Sequence, residues 1–431
     1  MNGISNLSPP NRETIRVVFT WGYMFYEVDG VQRVLLQCLD ELPKYGIDPY
    51  VVTLKGSGER RDLLLSKYPG RIIECKSAWP GPKWKTATGA DETSPIRRAY
   101  RSVVDKPMLR YRWAQFHYDV LGTIAALRPD VVALNYSWHF DLSLLLHEFS
   151  GTVGFWHSGA TSEVTHRPFQ RYGSTLDAVV ASSPAGAQNL VDAGEPHYRD
   201  KVRAITYGID PISDSVPDRI GSADRPLRVA YVGRFLERDK RISDVPKIVR
   251  ALAERGIPVE VSLVGEGPDY EQTCDEVKAT GVTVRCPGTV LPEDVRNVFL
   301  EHDVMILTSD SEGGPLALLE AMATGCVPVV SRCPSGLIPL VIKNGVNGLT
   351  FEIGDIAGAV DQLAKLSADR ALLGQLSAIA VETSKEYPLD ETHRQYADLF
   401  WGLSRLSKRK WSKSNYFLSR AKHLRVLSRT I

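Results

Sequence analysis

The chain has 431 residues, of which 43% are hydrophobic and 24% are charged, and its formal net charge at pH 7 is +1. This length exceeds the usual size of one domain, and the composition is that of a soluble globular protein, so we expect two domains. The polar start MNGISNLSPPNRETIR lacks the basic stretch and apolar core of a secretion signal. No run reaches the roughly 18 apolar residues that span a bilayer. We therefore expect a cytoplasmic protein whose membrane contacts are peripheral.

Short β-branched runs alternate with helical patterns along the whole chain. The first half contains the runs IRVVFTW, PYVVTL, RIIEC, DVVALNY, TVGFWH, LDAVVASS and VRAITYG. The second half contains LRVAYVGR, EVSLVGEG, TVRCPGT, DVMILTS and VPVVSR. This alternation is typical of parallel sheets wrapped by helices, and each half has enough runs for its own sheet. The sequence therefore predicts an α/β protein with two Rossmann-like, doubly wound parallel-sheet lobes.

The boundary between the lobes is predicted in DPISDSVPDRIGSADRP, residues 210–226, where Pro, Ser, Gly and Asp crowd together and no apolar period survives. We expect a first lobe over residues 1–210, a linker over 211–226, a second lobe over 227–389 and a C-terminal segment over 390–431. Ligands of such sheets bind beyond the carboxyl ends of the strands. Two facing sheets would therefore form a substrate cleft between the lobes.

The C-terminal segment differs in charge from the rest of the chain. Nine Lys and Arg and no Asp or Glu follow Asp398, which leaves 43 basic and 51 acidic residues before it, a net charge of −8. LDETHRQYADLFWGLSRL predicts a helix with Asp390 as its N-cap, and SNYFLSRAKHLRVLSR predicts an amphipathic basic helix that binds anionic lipid headgroups. A docked or frayed C-terminus is the alternative. Nucleic acid is not an expected partner, because the body of the chain is acidic.

Two further features leave alternatives open. The segment IRRAYRSVVDKPMLRYRW, residues 96–113, places basic residues beside Tyr and Trp, which suits either a solvated helical face or a headgroup layer. The cysteines lack CxxC pairs or ligand spacing, so we expect buried free thiols rather than a zinc site. They are Cys38, Cys75, Cys274, Cys286, Cys326 and Cys333.

Two carboxylates lie in TSDSEGGPLALLEAMATG, residues 308–325, where a predicted strand leads through a glycine turn into a predicted helix. Backbone N–H groups at the start of a helix attract anions and hydroxyl-rich ligands. Glu312 lies at the mouth of this turn, whereas Glu320 lies in an apolar run and must bond something, such as ribose hydroxyls. In the alternative, Glu312 caps the helix and Glu320 has a basic partner.

Two cations follow another predicted strand in YVGRFLERDKRISD. Gly233 and Arg234 end this strand, and Lys240 lies at the next loop-to-helix junction. Arg offers a planar fork and Lys a mobile point charge, which is how diphosphates are commonly bound. Gly265 and Gly267 of LVGEGPDYEQ follow the next strand, where missing side chains would let a nucleotide approach the backbone. A GxG pattern alone is weak evidence.

Taken together, these motifs resemble glycosyltransferase family 4. The resemblance is carried by GR with its downstream lysine, the GEGP turn, the block SEGGPLALLEAMATGCVPVVS and the ending NGVNGLTF, and it is strongest over residues 225–370. It is weaker in the first lobe, where DGVQRVLLQCLDELPKYGIDPYVVTL resembles the opening GG-V-x-R helix with Asp29 in place of a commoner glycine. ITYGIDP resembles the PNGID linker entrance with Tyr207 in place of asparagine. The resemblance implies the GT-B fold of two facing Rossmann-like lobes.

The resemblance also implies roles for individual residues. Arg234 and Lys240 would hold the donor diphosphate and Glu320 the ribose, while Glu312 would face the transferred sugar. The residues implied to complete the donor site are Gly30, Gly233, Gly265, Gly267, Val290, Gly313, Gly314, Pro315 and Leu316. His157, at the end of TVGFWH, matches the histidine beside the sugar. The catalytic set is thus Glu312, His157, Arg234 and Lys240.

The implied reaction is retaining transfer of a hexose from a UDP- or GDP-linked sugar to a hydroxyl of a saccharide acceptor. The basic C-terminal segment favours a membrane-held glycolipid, a lipopolysaccharide core or an exopolysaccharide precursor as acceptor. The chain has no Asp-x-Asp motif, so we expect no metal and no other cofactor. The alternatives are a catalytically silent sugar-nucleotide-binding protein, or a relative such as an epimerase or a phosphorylase. TWGYMFYEVDG lacks the GxGxxG of a dehydrogenase.

Overall fold

A computed structural model gives the structure of the chain. It describes residues 13–21, 30–76, 119–135, 142–156, 172–192, 199–210, 216–217, 219, 225–292, 294–334, 336–406, 408 and 410–411. Three of the features predicted above lie outside the described residues. They are His157, the basic segment 96–113 and the amphipathic segment from residue 414 onwards.

The first lobe is built on a parallel sheet. The described residues form seven strands in the order β3-β2-β1-β4-β5-β6-β7. They are β1 (Ile15–Thr20), β2 (Ile47–Leu54), β3 (Ile72–Cys75), β4 (Val131–Asn135), β5 (Gly151–Trp156), β6 (Ala178–Ala181) and β7 (Val202–Ala204). In the middle of this sheet Val17 lies opposite Pro49 of β2 and Val131 of β4. The central strands β1, β4 and β6 are mostly apolar and buried, because helices cover both faces of such a sheet. All seven predicted runs are confirmed.

A second parallel sheet forms the core of the other lobe. The described residues form six strands in the order β10-β9-β8-β11-β12-β13. They are β8 (Leu227–Val232), β9 (Val259–Val264), β10 (Thr283–Gly288), β11 (Val304–Leu307), β12 (Val327–Ser331) and β13 (Leu349–Phe351). The five predicted runs are confirmed. The sequence analysis missed β13, which lies in NGVNGLTF, where Gly and Asn interrupt the apolar residues and indicate turns.

Helices connect the strands and cover the sheets. In the first lobe they are α1 (Gly30–Glu41), α2 (Glu59–Lys67), α3 (Ser143–Leu146) and α4 (Pro184–Asp192), with helical residues at 119–127. In the second lobe they are α5 (Glu237–Lys240), α6 (Asp244–Glu254), α7 (Tyr270–Lys278), α8 (Val295–Glu301), α9 (Leu316–Ala323), α10 (Ile338–Val341), α11 (Ile356–Ala368) and α12 (Arg370–Ser384). The last described helix is α13 (Leu389–Ser404).

The chain crosses between the lobes twice, and the two crossings are hydrogen-bonded to each other. The amide of Ile209 donates to the carbonyl of Tyr387 at 3.0 Å, and the amide of Leu389 donates to the carbonyl of Ile209 at 2.9 Å. Gly208 lies so close to the second crossing that a Cβ there would stand 2.4 Å from the carbonyl oxygen of Pro388. The two connections therefore lie side by side.

After the second crossing, α13 packs against the sheet of the first lobe. The ring of Phe400 meets Phe19 of β1 edge to face at 5.7 Å between centroids, and Tyr396 lies 5.7 Å from Phe155 of β5. The predicted helix is confirmed, but its predicted N-cap is wrong. The helix begins at Leu389, so Pro388 holds the N-cap position and Asp390 lies in the first turn, where its carboxylate accepts a hydrogen bond from Tyr45.

The first part of the basic C-terminal segment is docked on the first lobe. The indole N–H of Trp411 donates to the carbonyl of Pro129 at 3.0 Å, and its ring stacks on Phe149 at 4.6 Å between centroids. The ammonium group of Lys408 lies 3.0 Å from the Asp177 carboxylate. These contacts lie near the amino ends of β4, β5 and β6, away from the edge where the strands end.

A buried aspartate ties the start of the second lobe together. Asp303 is fully buried and accepts hydrogen bonds from Arg225 at 2.5 Å and Arg228 at 2.8 Å. The guanidinium groups of Arg219 and Arg370 lie 3.9 Å and 4.0 Å from its carboxylate. Burial alone would raise the pKa of Asp303, but the hydrogen bonds from Arg225 and Arg228 hold it well below its usual range.

The cysteines are free thiols, as the sequence predicted, and all are buried except Cys286, which is half-buried. Burial raises the pKa of the Cys75 thiol to about 12, so it stays protonated at neutral pH. Within the described part of the chain, none of the helices has the length and apolar character needed to cross a membrane.

Candidate functional site

The loops that follow β8, β9 and β10 are joined by hydrogen bonds at the carboxyl end of the second sheet. The surface that they form, residues 233–235, 265–267 and 288–290, is called the ledge below. The amide of Gly233 donates to the carbonyl of Val264 at 3.0 Å, and the amide of Phe235 donates to Glu266 at 2.8 Å. The amide of Gly265 in turn donates to the carbonyl of Gly288 at 2.9 Å. The carboxyl ends of parallel strands are where ligands of this type of sheet bind.

Gly265 and Gly267 are required by the packing of this ledge. Both have positive φ angles, 138° and 149°, which residues with a side chain rarely adopt. A Cβ at Gly265 would stand 1.9 Å from the carbonyl oxygen of Gly233, and one at Gly267 would stand 2.2 Å from that of Phe235. These glycines were predicted to make room for a nucleotide. The structure gives them a separate role, which is to let neighbouring loops meet.

Lys240 and Glu312 form an ion pair at the same edge. The Lys240 ammonium lies 2.6 Å from Oε1 of Glu312, and the hydroxyl of Ser309 donates to the same oxygen at 2.6 Å. The backbone at Lys240 is held by Thr308, whose hydroxyl donates to the Lys240 carbonyl at 2.8 Å. Glu312 is buried, and Pro315 holds the N-cap position of α9 without a side-chain hydrogen bond. The alternative in which Glu312 caps the helix stays a prediction.

Glu320 is ion-paired with a residue of the other lobe. It lies on α9, and its Oε1 is in contact with Nη1 of Arg33, which lies in the first turn of α1. Burial raises the pKa of Glu320, and the charge of Arg33 opposes this rise. The alternative that gave Glu320 a basic partner is confirmed. The sequence analysis did not single out Arg33, although it is the arginine of the GG-V-x-R motif.

The turn before α9 is packed against the first lobe. A Cβ at Gly314 would stand 3.0 Å from the ring of Tyr207, and Leu316 is buried in the core that the first lobe forms. On the other side of the cleft, a Cβ at Gly30 would stand 3.7 Å from Leu316. The starts of α1 and α9 therefore lie next to each other. The first backbone N–H groups of a helix have no partners within the helix, and such groups favour anions.

The remaining predicted residues of the second lobe lie on the ledge or beside it. Arg234 is exposed, and its side chain has no ion pair with any described residue, while its carbonyl accepts a hydrogen bond from Tyr231 at 2.8 Å. Val290 is half-buried and packs against the core of the second lobe. Thr289 beside it donates to Glu266 at 3.1 Å. Gly313 and Pro315 are half-buried in the turn before α9.

The arrangement combines cations, carboxylates and helix starts in one place. Arg234 and Lys240 can meet phosphate oxygens, and the carboxylates of Glu312 and Glu320 can accept hydrogen bonds from hydroxyl groups. Both carboxylates are ion-paired in this structure, so a ligand must share or displace these partners. The predicted position of His157 directly follows β5 of the first lobe. Its role stays a prediction.

Comparison with known proteins shows the family. The model of Glycosyltransferase Family 4 matches residues 28–212, and the model of Glycosyl transferases group 1 matches residues 214–383. The chain belongs to glycosyltransferase family 4. The two matches follow the order of the lobes, so the resemblance noted in the sequence is confirmed for both halves of this family 4 chain.

The family 4 chain is similar to several curated glycosyltransferases and related synthases. N-acetyl-alpha-D-glucosaminyl L-malate synthase of Bacillus anthracis is 30% identical over 172 residues, 39% of this chain and 45% of that protein. The lipopolysaccharide core biosynthesis glycosyltransferase LpsE of Rhizobium meliloti is 27% identical over 370 residues, 84% of this chain and 92% of that protein. The first curated relatives are matched over about half of their length, between 42% and 57%.

A solved structure supports the fold. A variant of S. aureus TarM, crystallised with Fondaparinux, alpha-GlcNAc-glycerol and UDP, superimposes with a TM-score of 0.70 at 10% identity. The match covers 90% of this chain and 100% of that chain. At this identity the likeness shows the fold alone. It confirms the two-lobed GT-B architecture that the resemblance implied.

Proposed function

We propose that this protein is a retaining glycosyltransferase that moves a hexose from a UDP- or GDP-linked donor to a hydroxyl group of a saccharide acceptor. The proposal is carried by the charged residues that lie together at one edge of the second sheet, which are Arg234, Lys240, Glu312 and Glu320. At this edge Glu320 also forms an ion pair with Arg33 of the first lobe. A nucleotide sugar offers the matching groups, which are a diphosphate and two sets of hydroxyls.

The donor would bind with its diphosphate toward the cations. Arg234 is exposed at the ledge, and Lys240 is held by Thr308 close to the turn before α9. Glu320 would accept hydrogen bonds from the ribose, and Glu312 from the transferred sugar. The loop backbone around Thr289 and Val290 would meet the base. Gly30 would lie under the sugar and phosphates, since it stands at the start of α1 beside Leu316.

Transfer with retention would proceed by displacement on the same face of the sugar, through an oxocarbenium-like state. The departing phosphate would help to deprotonate the acceptor hydroxyl. Arg234, Lys240 and the starts of α1 and α9 would neutralise the charge on the leaving diphosphate, which is the task of preorganised donors in such sites. We propose that no metal ion is needed, because these groups supply the positive charge and the chain has no Asp-x-Asp motif.

We propose a membrane-held saccharide as the acceptor, such as a glycolipid, a lipopolysaccharide core or an exopolysaccharide precursor. Two observations support it. One relative that is matched over 92% of its length, from Rhizobium meliloti, is named for lipopolysaccharide core biosynthesis. The residues after Asp398 carry nine Lys and Arg and no acid, which favours the anionic inner face of a cell membrane. The protein would then be cytoplasmic and peripheral to that membrane.

One observation favours the second candidate, a catalytically silent sugar-nucleotide-binding protein. Both carboxylates of the site are ion-paired, as purely structural groups would be. An epimerase or phosphorylase of the same fold is a further alternative. Turnover separates these candidates, because a silent protein would bind the nucleotide without releasing it from the sugar.

The test is a panel of UDP-, GDP- and ADP-sugars incubated with the purified protein in EDTA, with nucleotide release as the readout. We expect one donor to be turned over in EDTA at the rate seen with Mg²⁺ or Mn²⁺. Release that depends on added metal would refute the metal-free proposal. Binding of a nucleotide sugar without release, with or without acceptor extracts, would favour the silent protein.

A further inference from the structure

The ion pair between Arg33 and Glu320 joins the two lobes at the place where the donor ribose is proposed to bind. Arg33 lies in the first turn of α1, and Glu320 lies just past the middle of α9. The residues are 287 positions apart in the chain. The pair exists because the starts of α1 and α9 lie next to each other across the cleft, with Gly30 packed against Leu316.

The geometry of the pair leaves part of the carboxylate open. Arg33 contacts Oε1 of Glu320, whereas Oε2 accepts no hydrogen bond from the described residues. The Glu320 side chain retains 10% of its exposure and that of Arg33 retains 27%, so the pair is only partly sealed from solvent. A carboxylate has room for about four hydrogen bonds. Oε2 is thus available to a hydroxyl group while Arg33 stays in place.

The surroundings of Glu320 explain why it needs this partner. It is flanked on α9 by buried apolar residues, Leu319 and Ala321, and burial raises its pKa. Among the described residues, Arg33 is the one charged group that acts on this carboxylate. Without it, the acid would take up a proton more readily, and a protonated acid offers fewer acceptor sites to a ribose.

We infer that Arg33 is a positioning residue of the donor site, which keeps Glu320 ionised and aims Oε2 at the ribose hydroxyls. The inference rests on the proposed function, since it assigns the ribose to Glu320. It adds that a first-lobe residue completes ribose recognition on the second lobe. The full strength of the ribose contact therefore requires the lobes to be packed together as they are here.

The first test isolates the ribose contact from the phosphate contact. The dissociation constants of a nucleoside diphosphate from the donor panel and of its 2′,3′-dideoxy analogue are measured by calorimetry between pH 5 and pH 8. Both ligands carry the same diphosphate. The dissociation constant of the dideoxy analogue divided by that of the parent nucleotide therefore measures how much the ribose hydroxyls contribute to binding. We expect a ratio of roughly 10 to 100 for the wild type at pH 7.5, since a hydrogen bond to a charged group is worth about that factor.

Arg33→Gln should lower this ratio by about fivefold or more. As the pH is lowered, the ratio of this variant should also begin to fall at a higher pH than that of the wild type, because the unpaired acid is protonated at a higher pH. Arg33→Lys should restore part of the ratio, because it restores the charge. The matched control is Arg71→Gln, which breaks an ion pair with Asp48 inside the first lobe. It should leave the ratio unchanged at every pH.

Three outcomes would overturn the inference. If Arg33→Gln raises the ratio, Arg33 competes with the ribose instead of supporting it. If it weakens both ligands equally, Arg33 acts on the phosphates or on the fold. If the ratio falls by the same factor at every pH and Arg33→Lys does not restore it, the arginine fills space and does not set the charge of Glu320.

A second measurement does not depend on the donor. The titration of Glu320 in the ligand-free protein is followed by carboxyl ¹³C NMR, with Glu320→Gln to assign the signal. Arg33→Gln should raise this pKa by about one unit, as loss of a close opposite charge does. An unmoved pKa would refute the inference even if donors bind. If no nucleotide binds but the pKa moves, the proposed function has failed and the charge-setting role of Arg33 stands.

Discussion

The ammonium group of Lys240 lies 2.6 Å from Oε1 of Glu312, and this ion pair joins the end of α5 to the loop that follows β11. The cation proposed for the diphosphate and the carboxylate proposed for the sugar are thus paired with each other. The pair fixes both side chains where the two parts of a nucleotide sugar would meet. It also means that each group loses a partner when the other is removed.

The first prediction separates the two glutamates. Glu320→Ala should weaken binding of the nucleotide, because the ribose loses its acceptor. Glu312→Ala should impair turnover while the nucleotide still binds, because its proposed partner is the sugar. Calorimetry with the nucleoside diphosphate and initial rates with the full donor measure the two effects. Equal losses of nucleotide affinity in both variants would contradict this division.

The second prediction concerns the leaving group. Arg234→Ala and Lys240→Ala should each reduce kcat by roughly 10²-fold or more, since each removes a charge that stabilises the departing diphosphate. Arg238→Ala is the matched control, because Arg238 lies on the same short helix as Lys240 and is exposed, where it pairs with its neighbour Asp239. It should keep the wild-type rate. A rate in either test variant equal to that of the control would remove that residue from the catalytic set.

Much of the fold could be predicted from the sequence, because each strand that exceeds three residues is a β-branched run and the repeated alternation dictates parallel sheets. The strand β13 could not be predicted, because Gly and Asn interrupt the apolar residues of NGVNGLTF. The N-cap of α13 was predicted at Asp390, whereas Pro388 holds that position with an extended backbone.

The sequence analysis could select candidate residues for this site but not their pairing. Glu312 and Lys240 were singled out because they follow strands, where ligand-binding side chains gather, and Glu320 because it is a carboxylate in an apolar run. The partner of Glu320 was not predictable, since Arg33 reaches it across the cleft and no local pattern records how two lobes face each other. Likewise, the packing role of Gly265 becomes visible only when the loop of Gly233 is placed beside it.

The third prediction concerns stability. Asp303→Asn should lower the free energy of unfolding by about 3–5 kcal/mol, because it leaves arginines packed around a site without a negative charge. Urea unfolding at pH 7 measures this loss. Asp361→Asn is the control, since Asp361 forms an exposed ion pair with Arg255 and such pairs are worth about 0–1 kcal/mol. If the free energy of unfolding falls by the same small amount in both variants, the ion-pair cluster around Asp303 does not stabilise the fold.

The pH dependence of this contribution has a definite sign. The pKa of Asp303 is depressed in the folded protein, whereas an unfolded aspartate titrates near pH 3.9. The stabilisation is therefore present above about pH 4 and is lost as the pH falls toward the folded pKa. The wild type should lose stability below about pH 4 more steeply than Asp303→Asn, which cannot titrate there.

The fourth prediction concerns a buried histidine. Burial lowers the pKa of His302, whose ring nitrogen lies 2.8 Å from the hydroxyl of Ser262. An unfolded histidine titrates near pH 6.5, so the unfolded chain takes up the proton first and stability falls as the pH drops below about 6.5. The thermal midpoint of the wild type should fall between pH 7.5 and pH 5. His302→Gln should flatten this slope in part, because His393 is also buried with a lowered pKa. An unchanged slope would show that His302 does not contribute.

The last prediction concerns the basic C-terminal segment and, through it, the acceptor. Trp411 is docked on Phe149 and Pro129, so a deletion that includes it would disturb the first lobe. The informative deletion removes residues 412–431, which contain Lys413, Arg420, Lys422, Arg425 and Arg429 and no acidic residue. Each basic residue near an anionic surface contributes about 1 kcal/mol to membrane binding.

Vesicle sedimentation measures the effect of this deletion. The full-length protein should bind vesicles that contain phosphatidylglycerol, less so as salt rises, and should not bind neutral phosphatidylcholine vesicles. Deletion of 412–431 should abolish this binding, and so should replacement of its five basic residues by Gln, while activity on a soluble acceptor analogue survives in both variants. The replacement variant keeps the length and apolar residues of the segment, so it separates charge from simple packing. Unchanged vesicle binding in both variants would leave the segment a structural role and remove the main support for a membrane-held acceptor.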